Sequence, residues 1–242
     1  MNFQLLHFDS LASTNTEAAE QARRGAAEGV TVVADEQTAG RGRQGRSWIS
    51  RKGDGALFST ILRPKFEARF YSLIPLIAAV AVHDALKQNW SIDADIKWPN
   101  DVLVGDKKIC GILSEMIDTP SGNAVILGIG INLCDVGSEL NATSIEAESL
   151  TPAVRDDVVA AVHLRLASLY DDLHTAPQKI IEEWSRRSSY ADGLEVNVDL
   201  GHGEPFTGTT CGLEENGALR VRVDDGSVRI VQAGDVTRLR RV

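Results

Sequence analysis

The chain has 242 residues, of which 43% are hydrophobic, and 25 basic and 34 acidic side chains give it a formal net charge of −9. This length and apolar content suffice for one large domain and a smaller one, and the negative charge excludes a surface dominated by attraction to nucleic-acid phosphates. The N-terminus lacks a basic segment before a long apolar run, and no apolar stretch reaches about 18 residues, so we expect a cytoplasmic protein without a membrane span. The three cysteines are far apart, which predicts neither a disulfide framework nor a zinc site.

The first predicted elements are a helix and a strand. Thr14-Asn15-Thr16-Glu17 has the spacing of a capping box, which predicts a helix through Arg24 that ends at Gly25. The β-branched run from Val30 to Glu36 predicts a buried strand. The next segment, Gln37 to Trp48, therefore follows directly after a strand.

This segment, which we call the arginine loop, contains three arginines and three glycines within residues 37–48. Glycine lets backbone N–H groups approach a ligand closely, and each guanidinium offers a planar fork that matches phosphate or carboxylate oxygens. The composition therefore predicts an anion-binding loop. An ordinary solvated loop has the same composition, so the loop alone does not decide between the two interpretations.

Gly40 to Gly45 also satisfies the G-x-G-x-x-G pattern of dinucleotide-binding proteins. That fingerprint requires a helix immediately after the glycines and an acidic residue about 20 positions later. Ser47 to Ser59 shows no helical period and becomes strand-like, which argues against this interpretation. The companion motifs of protein kinases and the Gly-Lys-Ser/Thr ending of a Walker A loop are absent from the sequence.

The middle of the chain predicts a core helix followed by a half-buried strand. Ser72 is the expected cap of the helix, with Pro75 in its first turn and an apolar face at helical spacing. From Ile92 to Trp98 apolar and charged residues alternate, which is the period of a strand, and Pro99 ends it. This alternation directs Lys97 away from the core.

Lys97-Trp98-Pro99-Asn100-Asp101 places a lysine at the end of this strand, directly before a turn that carries two polar side chains. The ammonium group is well placed to meet an anion. A lysine at a strand end is more often a solvated edge charge, so the neighbouring residues carry the functional interpretation. Asp101 could assist deprotonation of an amine, although a hydrogen-bonded turn aspartate is the commoner role.

A hairpin and a further strand are predicted next. Gly105-Asp106 turns between Val102 to Val104 and Lys107 to Ile117, and Ala124 to Leu133 forms the following strand. Within that strand, alternation places two glycines and an amide on one face, at Gly128, Gly130 and Asn132. Such a strip can receive a planar group against the backbone, and it can equally serve close packing against a helix.

From Pro152 the period becomes helical, and Pro177 opens another helix. Beyond Tyr190 the sequence predicts four or five short strands separated by Glu215-Asn216-Gly217 and Asp224-Asp225-Gly226. We therefore predict an α+β fold in two domains. A mixed, largely antiparallel sheet packed by helices spans 1–189, and a small SH3-like β-barrel spans 190–242.

Together these segments resemble the ordered motifs of the biotin protein ligases. The resemblance rests on Ser13-Thr14-Asn15, Gln37 to Arg46, Lys97 to Asp101, Gly111-Ile112-Leu113 with Glu115, Gly128 to Leu133 and Ala233-Gly234-Asp235-Val236. One departure is Gln44, which occupies a position that is often basic in the family. The resemblance implies a class II synthetase-like catalytic domain and a two-step reaction. ATP first converts biotin to biotinyl-5′-AMP, and a lysine of a biotin carboxyl carrier protein then takes the acyl group.

The resemblance also implies roles for individual residues. Lys97 and Arg43 are the expected catalytic residues. Biotin is expected to contact Ser13, Thr14, Asn15, Gln37, Arg41, Gly42, Arg43, Lys97 and Gly111. The nucleotide is expected to contact Arg43, Arg46, Trp48, Lys97, Asn100 and Asn132, with Trp48 stacking and Asn132 at the adenine edge. Helix caps commonly carry hydroxyl groups, so Ser13 and Thr14 rest on the family pattern alone.

The implied partners are ATP, biotin, Mg²⁺ and a carrier domain of a carboxylase. No carboxylate cluster suggests metal ligands, which suits an ion held by phosphates and water. The catalytic motifs begin at Ser13, so we expect neither a DNA-binding winged helix nor repression. A homodimer and a monomer both fit the pattern. A lipoate ligase using the same acyl-adenylate chemistry is the nearest alternative, and a nucleic-acid-binding protein is a remote one.

Overall fold

The computed structural model describes residues 1–134 and 141–239. Its large sheet has the strand order β1-β2-β3-β7-β6-β5-β4, and only the pair β1 and β2 is parallel. The strands are β1 (Gln4–Phe8), β2 (Val30–Ala34), β3 (Gly55–Leu62), β4 (Asp95–Lys97), β5 (Asp101–Val104), β6 (Lys107–Thr119) and β7 (Gly122–Asn132). The predicted mixed, largely antiparallel sheet is therefore confirmed.

Helices cover both faces of this sheet. The helices are α1 (Thr14–Arg23), α2 (Ile74–Trp90), α3 (Ile145–Ser149), α4 (Arg155–Thr175) and α5 (Pro177–Ser185). The main core lies between α2, α4 and the face that carries Phe58 and Ile129, whereas α1 packs on the opposite face against Ile61 and Ile126. The segment Ala68–Trp90 is long and apolar enough to cross a membrane, but most of it is buried within this core.

The hairpin of β5 and β6 contains a β-bulge that changes the direction of side chains. Val102 pairs with Cys110 and Leu103 pairs with Lys108, so Ile109 is an extra residue in β6. A bulge of this kind interrupts the two-residue alternation of a strand and redirects neighbouring side chains. Lys108 consequently shares the α1 face of the sheet with Gly111, whereas strict alternation would place it on the core face.

Two predicted helix caps are wrong. The capping box does not form, because Ser13 is the N-cap of α1 without a side-chain bond and the hydroxyl of Thr14 donates to Gln37 instead. Ser72 does not cap α2, because it lies in a 3₁₀ turn that precedes the helix. Its hydroxyl donates to the carbonyl of Asn216 at 2.6 Å. In both places a tertiary partner competes with the local cap.

The predicted strand from Ile92 to Trp98 is shorter in the structure, where only Asp95–Lys97 pairs. Ser91 adopts a left-handed conformation at the end of α2, and the N–H of Ile92 donates to the carbonyl of Leu86. This is the bonding pattern that closes a helix C-terminus, so Ile92 belongs to the helix cap and not to the strand.

The C-terminal region forms a second, five-stranded antiparallel sheet with the order β11-β10-β9-β8-β12. Its strands are β8 (Asp192–Asp199), β9 (Phe206–Leu213), β10 (Leu219–Arg222), β11 (Val228–Val231) and β12 (Asp235–Arg238). The predicted short strands and both predicted turns are confirmed. The buried side chains of this sheet continue the main core without a break.

The turn between β9 and β10 fits closely against the large domain. The indole Nε1 of Trp98 donates to the carbonyl of Gly217 at 2.9 Å. Gly217 has a φ of +81°, and an added Cβ would lie 2.8 Å from Leu76 and 2.9 Å from Leu73. Because a side chain has no room there, this turn requires glycine both for its conformation and for its packing.

A buried carboxylate joins three helical segments on the far side of the core. Asp84 of α2 accepts hydrogen bonds from Arg165 of α4 at 2.8 Å and from Arg187 after α5 at 2.6 Å. Burial alone would raise the pKa of Asp84, but hydrogen bonds from His83 and the two arginines lower it well below its usual range. Asp84 therefore remains charged and its role is to hold these helices together.

His163 of α4 lies buried against the edge of the core formed by β2 and β3. Its Nε2 is 3.2 Å from the hydroxyl of Thr60, and its ring stacks on Phe3 with centroids 3.8 Å apart. Burial lowers the pKa of His163 to about 4. The folded protein therefore holds this imidazole neutral at pH values where an unfolded chain would protonate it.

We expect His163 to make the fold sensitive to acid. Its pKa is lower in the folded than in the unfolded state, so its contribution is complete above about pH 6.5 and is lost as the pH falls towards 4. Between pH 7 and pH 5, wild type should lose about 2 kcal/mol more unfolding free energy than His163→Gln. Urea unfolding of both proteins at the two pH values measures this difference, and equal losses would contradict it.

Candidate active site

The predicted site residues meet in one pocket on the α1 face of the large sheet. Its walls come from the arginine loop, the start of α1, the turn after β4 and the start of β12. The predicted residues that line it are Ser13, Thr14, Asn15, Gln37, Arg41, Gly42, Arg43, Arg46, Trp48, Lys97, Asn100 and Gly111. Of the predicted site residues, Asn132 alone lies outside this lining.

One wall of the pocket consists of neutral polar groups. Gln37 Oε1 accepts hydrogen bonds from the backbone N–H of Thr14 at 2.7 Å and from its hydroxyl at 3.0 Å. Since the amide oxygen faces Thr14, the amide nitrogen of Gln37 is directed elsewhere. Ser59 Oγ lies 2.8 Å from Thr14 Oγ1 and 2.6 Å from Asn15 Oδ1. Hydrogen bonds within the protein therefore hold the side chains of this wall in place.

The floor of the pocket requires glycine at three positions. An added Cβ at Gly128 would lie 2.0 Å from Asn15 Oδ1, so the side chain of Asn15 rests directly on the sheet backbone. Added Cβ atoms at Gly111 and Gly130 would each lie 2.7 Å from the indole of Trp48. The two roles that the sequence left open for this strip both occur, because Gly128 packs against Asn15 of helix α1 and Gly130 lies under the indole of Trp48.

The other end of the pocket is cationic. Lys97 is largely buried, and Ile96 and Trp98 on either side of it face the core, as the alternation predicted. Arg43 Nη1 donates to Asn100 Oδ1 at 3.0 Å, and Asn100 is itself held by its Nδ2, which donates to the carbonyl of Ile112 at 2.8 Å.

Burial lowers the pKa of Arg43, and the charges of Asp101 and Asp235 oppose this effect. Since an arginine starts from a very high pKa, its guanidinium stays charged. The pocket therefore keeps a fixed cation beside Lys97.

Asp235 of β12 brings the second sheet into the pocket. Its carboxylate is 2.8 Å from Arg46 Nη2 and 3.5 Å from Lys97 Nζ. Burial would raise the pKa of Asp235, but the hydrogen bond from Arg46 and the charge of Lys97 lower it below its usual range. Half-exposed ion pairs add at most about 1 kcal/mol to stability, so the importance of this pair lies in where it holds the two cations.

Two site residues were not singled out by the sequence. Lys108 Nζ lies 2.6 Å from Asp101 and 5.5 Å from the centre of the Trp48 ring, and the bulge at Ile109 explains why alternation concealed it. Asp235 was quoted in the family resemblance without a role. Its position in the pocket depends on how the second sheet packs against the large one, and local sequence patterns do not predict that packing.

Asn132 occupies a smaller cavity on the other side of Trp48. It shares this cavity with Ser47, Ile49, Lys108, Asn141 and Ala142. The side chain is buried, and Nδ2 donates to the carbonyl of Thr143 at 2.9 Å. Alternation correctly placed Asn132 on the same face as Gly128 and Gly130. The structure thus sets it behind the indole, in a cavity that it shares with Lys108 and outside the lining that contains Lys97 and Arg43.

Metal ligands are not grouped in the described parts of the chain, residues 1–134 and 141–239, where no set of three or more His, Cys, Asp or Glu side chains could hold an ion. The carboxylates in and beside the pocket have cationic partners. Asp101 pairs with Lys108, Asp235 pairs with Arg46, and Glu115 pairs with Arg41. These carboxylates balance the charges of the cations that they contact.

The pocket and the fold agree with the sequence comparisons. The chain belongs to the Biotin/lipoate A/B protein ligase family, whose profile matches residues 7–132, more than half of the chain. The profile of the Biotin protein ligase C terminal domain matches residues 193–238. The predicted combination of a biotin protein ligase catalytic domain and its C-terminal domain is thereby confirmed.

Individual relatives resemble nearly the whole chain. The Bifunctional ligase/repressor BirA of Bacillus subtilis is 37% identical over 96% of this chain and 74% of its own length. A biotin–acetyl-CoA-carboxylase ligase of Paracoccus denitrificans is 35% identical over 93% of this chain and 96% of its own length. The structure of the biotin protein ligase from Aquifex aeolicus in complex with biotin and ATP superposes with a TM-score of 0.83, at 28% identity, covering 98% of this chain and 99% of that one.

We expect Gly130→Ala to displace the indole of Trp48 from the sheet. The added Cβ would meet the ring at 2.7 Å, and the neighbouring strand backbone cannot move away as easily as a loop side chain. Tryptophan emission should shift to longer wavelength and acrylamide quenching should increase. The same substitution in a Trp48→Phe background is the control and should leave the emission unchanged. Identical spectra for wild type and Gly130→Ala would contradict the described packing.

Proposed function

We propose that this chain activates biotin with ATP and transfers the biotinyl group to a lysine of a biotin carboxyl carrier domain. In the first step a carboxylate oxygen of biotin attacks the α-phosphorus of ATP, forming biotinyl-5′-AMP and releasing pyrophosphate. In the second step the neutral lysine amine attacks the acyl carbon, forming an amide and releasing AMP and a proton. The relatives named as biotin–acetyl-CoA-carboxylase ligases and the related structure with biotin and ATP support this proposal.

The observation that carries the proposal is the division of one pocket into a neutral polar wall and a cationic end. Thr14, Asn15 and Gln37 offer hydroxyl and amide groups to an uncharged ureido ring, which needs such partners when it is buried. Lys97 and Arg43 lie at the other end, where a carboxylate and a triphosphate must approach each other. A pocket of this kind suits a molecule with a neutral ring and an anionic tail.

In this mechanism Lys97 and Arg43 are the catalytic residues. The first step brings two anions together, so their cationic groups offset the repulsion and stabilise the charge that develops at the α-phosphate. Both side chains are held in the pocket by the fold. Strand β4 positions Lys97, and a hydrogen bond to Asn100 positions Arg43. Because these groups are already in place, they stabilise the developing charge without the free-energy cost of reorienting solvent dipoles.

The predicted contacts fall into a biotin group and a nucleotide group, and Arg43 and Lys97 belong to both. For biotin we propose Ser13, Thr14, Asn15, Gln37, Arg41, Gly42, Arg43, Lys97 and Gly111. For the nucleotide we propose Arg43, Arg46, Trp48, Lys97, Asn100 and Asn132. We also propose Lys108, because it lines the same pocket with its ammonium 5.5 Å from the centre of the Trp48 ring. The indole Nε1 of Trp48 is buried without a hydrogen-bond partner among the described residues, so it can donate to a bound group.

We also propose that Mg²⁺ enters with ATP, held by phosphate oxygens and water. The carboxylates of the pocket suit this arrangement, because their positions are already taken by lysine and arginine partners. We further propose a cytoplasmic enzyme that divides into residues 1–189 and 190–242. Its acceptor is the carrier domain of a carboxylase, in line with the names of its relatives.

Lys97→Ala should remove most biotin-dependent release of pyrophosphate. Losing a cation at the reacting phosphate should lower kcat by about 10² to 10³. The assay measures pyrophosphate with ATP, Mg²⁺ and biotin, lipoate or no acid, so it needs no acceptor protein. Lys87→Ala is the matched control, because Lys87 pairs with Asp93 on the outside of α2, and it should behave as wild type.

The acid that supports release identifies the substrate. Release with biotin alone supports the proposal, whereas release with lipoate alone would retain the chemistry and replace the substrate. No release with either acid would overturn the enzymatic function. Chelation of Mg²⁺ should abolish release in every case, and release that persists without the ion would contradict the proposed role of the metal.

A further inference from the structure

Glu115 of β6 is a residue near the pocket to which the proposed mechanism gives no role. One of its carboxylate oxygens, Oε2, lies 2.7 Å from Arg41 Nη2 and accepts a hydrogen bond from Asn15 Nδ2, also at 2.7 Å. A single oxygen thus joins the arginine loop to the first turn of α1. Arg43 and Arg46 have different partners, Asn100 and Asp235, which belong to the cationic end.

Glu115 and the carbonyl of Leu113 together set the orientation of the Asn15 amide, because Nδ2 donates to the carboxylate at 2.7 Å and to the carbonyl at 3.4 Å. Ser59 Oγ donates to Asn15 Oδ1, and Asn15 Nδ2 donates to Glu115. A carboxylate can only accept here, so the nitrogen of the amide must face Glu115 and the oxygen must face Ser59. Asn15 is 3% exposed, and its amide rests directly on the backbone at Gly128, where an added Cβ would lie 2.0 Å from Asn15 Oδ1. The protein partners of Asn15 therefore fix this part of the wall.

Glu115 also neutralises one arginine of the loop. An unpaired guanidinium at Arg41 would attract the carboxylate of a substrate towards the wall formed by Thr14 and Gln37. With Arg41 paired to Glu115, its charge is balanced beside this wall. At the other end a single carboxylate, Asp235, is shared by Arg46 and Lys97, and Arg43 donates to the neutral amide of Asn100, so positive charge there exceeds negative charge. The pairing consequently favours one orientation of the acid in the pocket, with its neutral ring at the wall and its carboxylate at the cationic end.

A role in overall stability does not account for this arrangement. The side chains of Arg41 and Glu115 are 47% and 31% exposed, and ion pairs in such positions add at most about 1 kcal/mol. The contacts instead connect two segments that both line the pocket. Their effect is therefore expected in the binding of the acid more than in the unfolding of the protein.

We propose that Glu115 is a positioning residue for the acid substrate. It touches no reacting atom and acts through Arg41 and Asn15, anchoring the arginine loop to α1 and setting the orientation in which the acid binds. This inference rests on the proposed function, since it names a determinant of binding for the same reaction. The nucleotide end of the pocket is outside its reach.

Glu115→Gln tests the proposal, because glutamine keeps the length of the side chain and an oxygen for Asn15 but loses the charge that holds Arg41. In the pyrophosphate assay KM for biotin should rise about tenfold, while kcat and KM for ATP stay within about twofold. Glu20→Gln is the matched control, since Glu20 pairs with Arg23 at 3.0 Å on α1 and should change neither constant.

Arg41→Gln approaches the same pair from the other side, and the double variant should raise KM for biotin no further than the single variants. Limited trypsin digestion without substrates gives a readout independent of catalysis. Cleavage after the loop arginines should be several-fold faster in Glu115→Gln than in Glu20→Gln, while the thermal midpoints stay close to each other.

The proposal would be overturned by an unchanged KM for biotin in Glu115→Gln, whether or not kcat falls, by additive effects in the double variant, or by equal rates of loop cleavage. These outcomes are distinct from failure of the proposed function, in which wild type itself would release no pyrophosphate with biotin. That last result would remove both proposals together. A rise in KM for ATP equal to that for biotin would also contradict a role confined to the acid.

Discussion

The absence of side chains at Gly111, Gly128 and Gly130 is the constraint on which the pocket depends. Because these residues present bare backbone on one face of β6 and β7, the amide of Asn15 and the indole of Trp48 can lie directly on the sheet. Trp48 ends the arginine loop, so its seat on the sheet determines where the loop crosses the pocket. Larger residues on that strip would lift the loop, and with it Arg41, Arg43 and Arg46.

Cations are concentrated in this pocket although the chain as a whole is negatively charged. The carboxylates that balance them come from separate strands. Asp101 begins β5, Glu115 lies in β6 and Asp235 begins β12. Such partners lower the cost of holding like charges together before substrates arrive.

The spacing of residue types along the sequence predicted much of the arrangement of the pocket. Strand alternation gave the face of Gly128, Gly130 and Asn132 and the outward direction of Lys97, because both strands are regular there. Lys108 escaped prediction because one extra residue in β6 reverses its direction. The cap expected from Thr14 failed because Gln37, 23 residues later, offers its hydroxyl a competing acceptor. The periodicity of a sequence predicts which side chains of one strand or helix share a face. It does not predict contacts between segments that are distant in the chain.

The hydrogen bond from Trp98 to the carbonyl of Gly217 limits which C-terminal sheets could replace the present one. Trp98 stands between Lys97 and Asn100, so the turn of the second sheet forms part of the support for both. The glycine at that turn fits against Leu73 and Leu76 with no space for a side chain. A C-terminal unit exchanged from another protein would have to reproduce this contact for Lys97 and Asn100 to keep their support, so the two sheets cannot be exchanged independently.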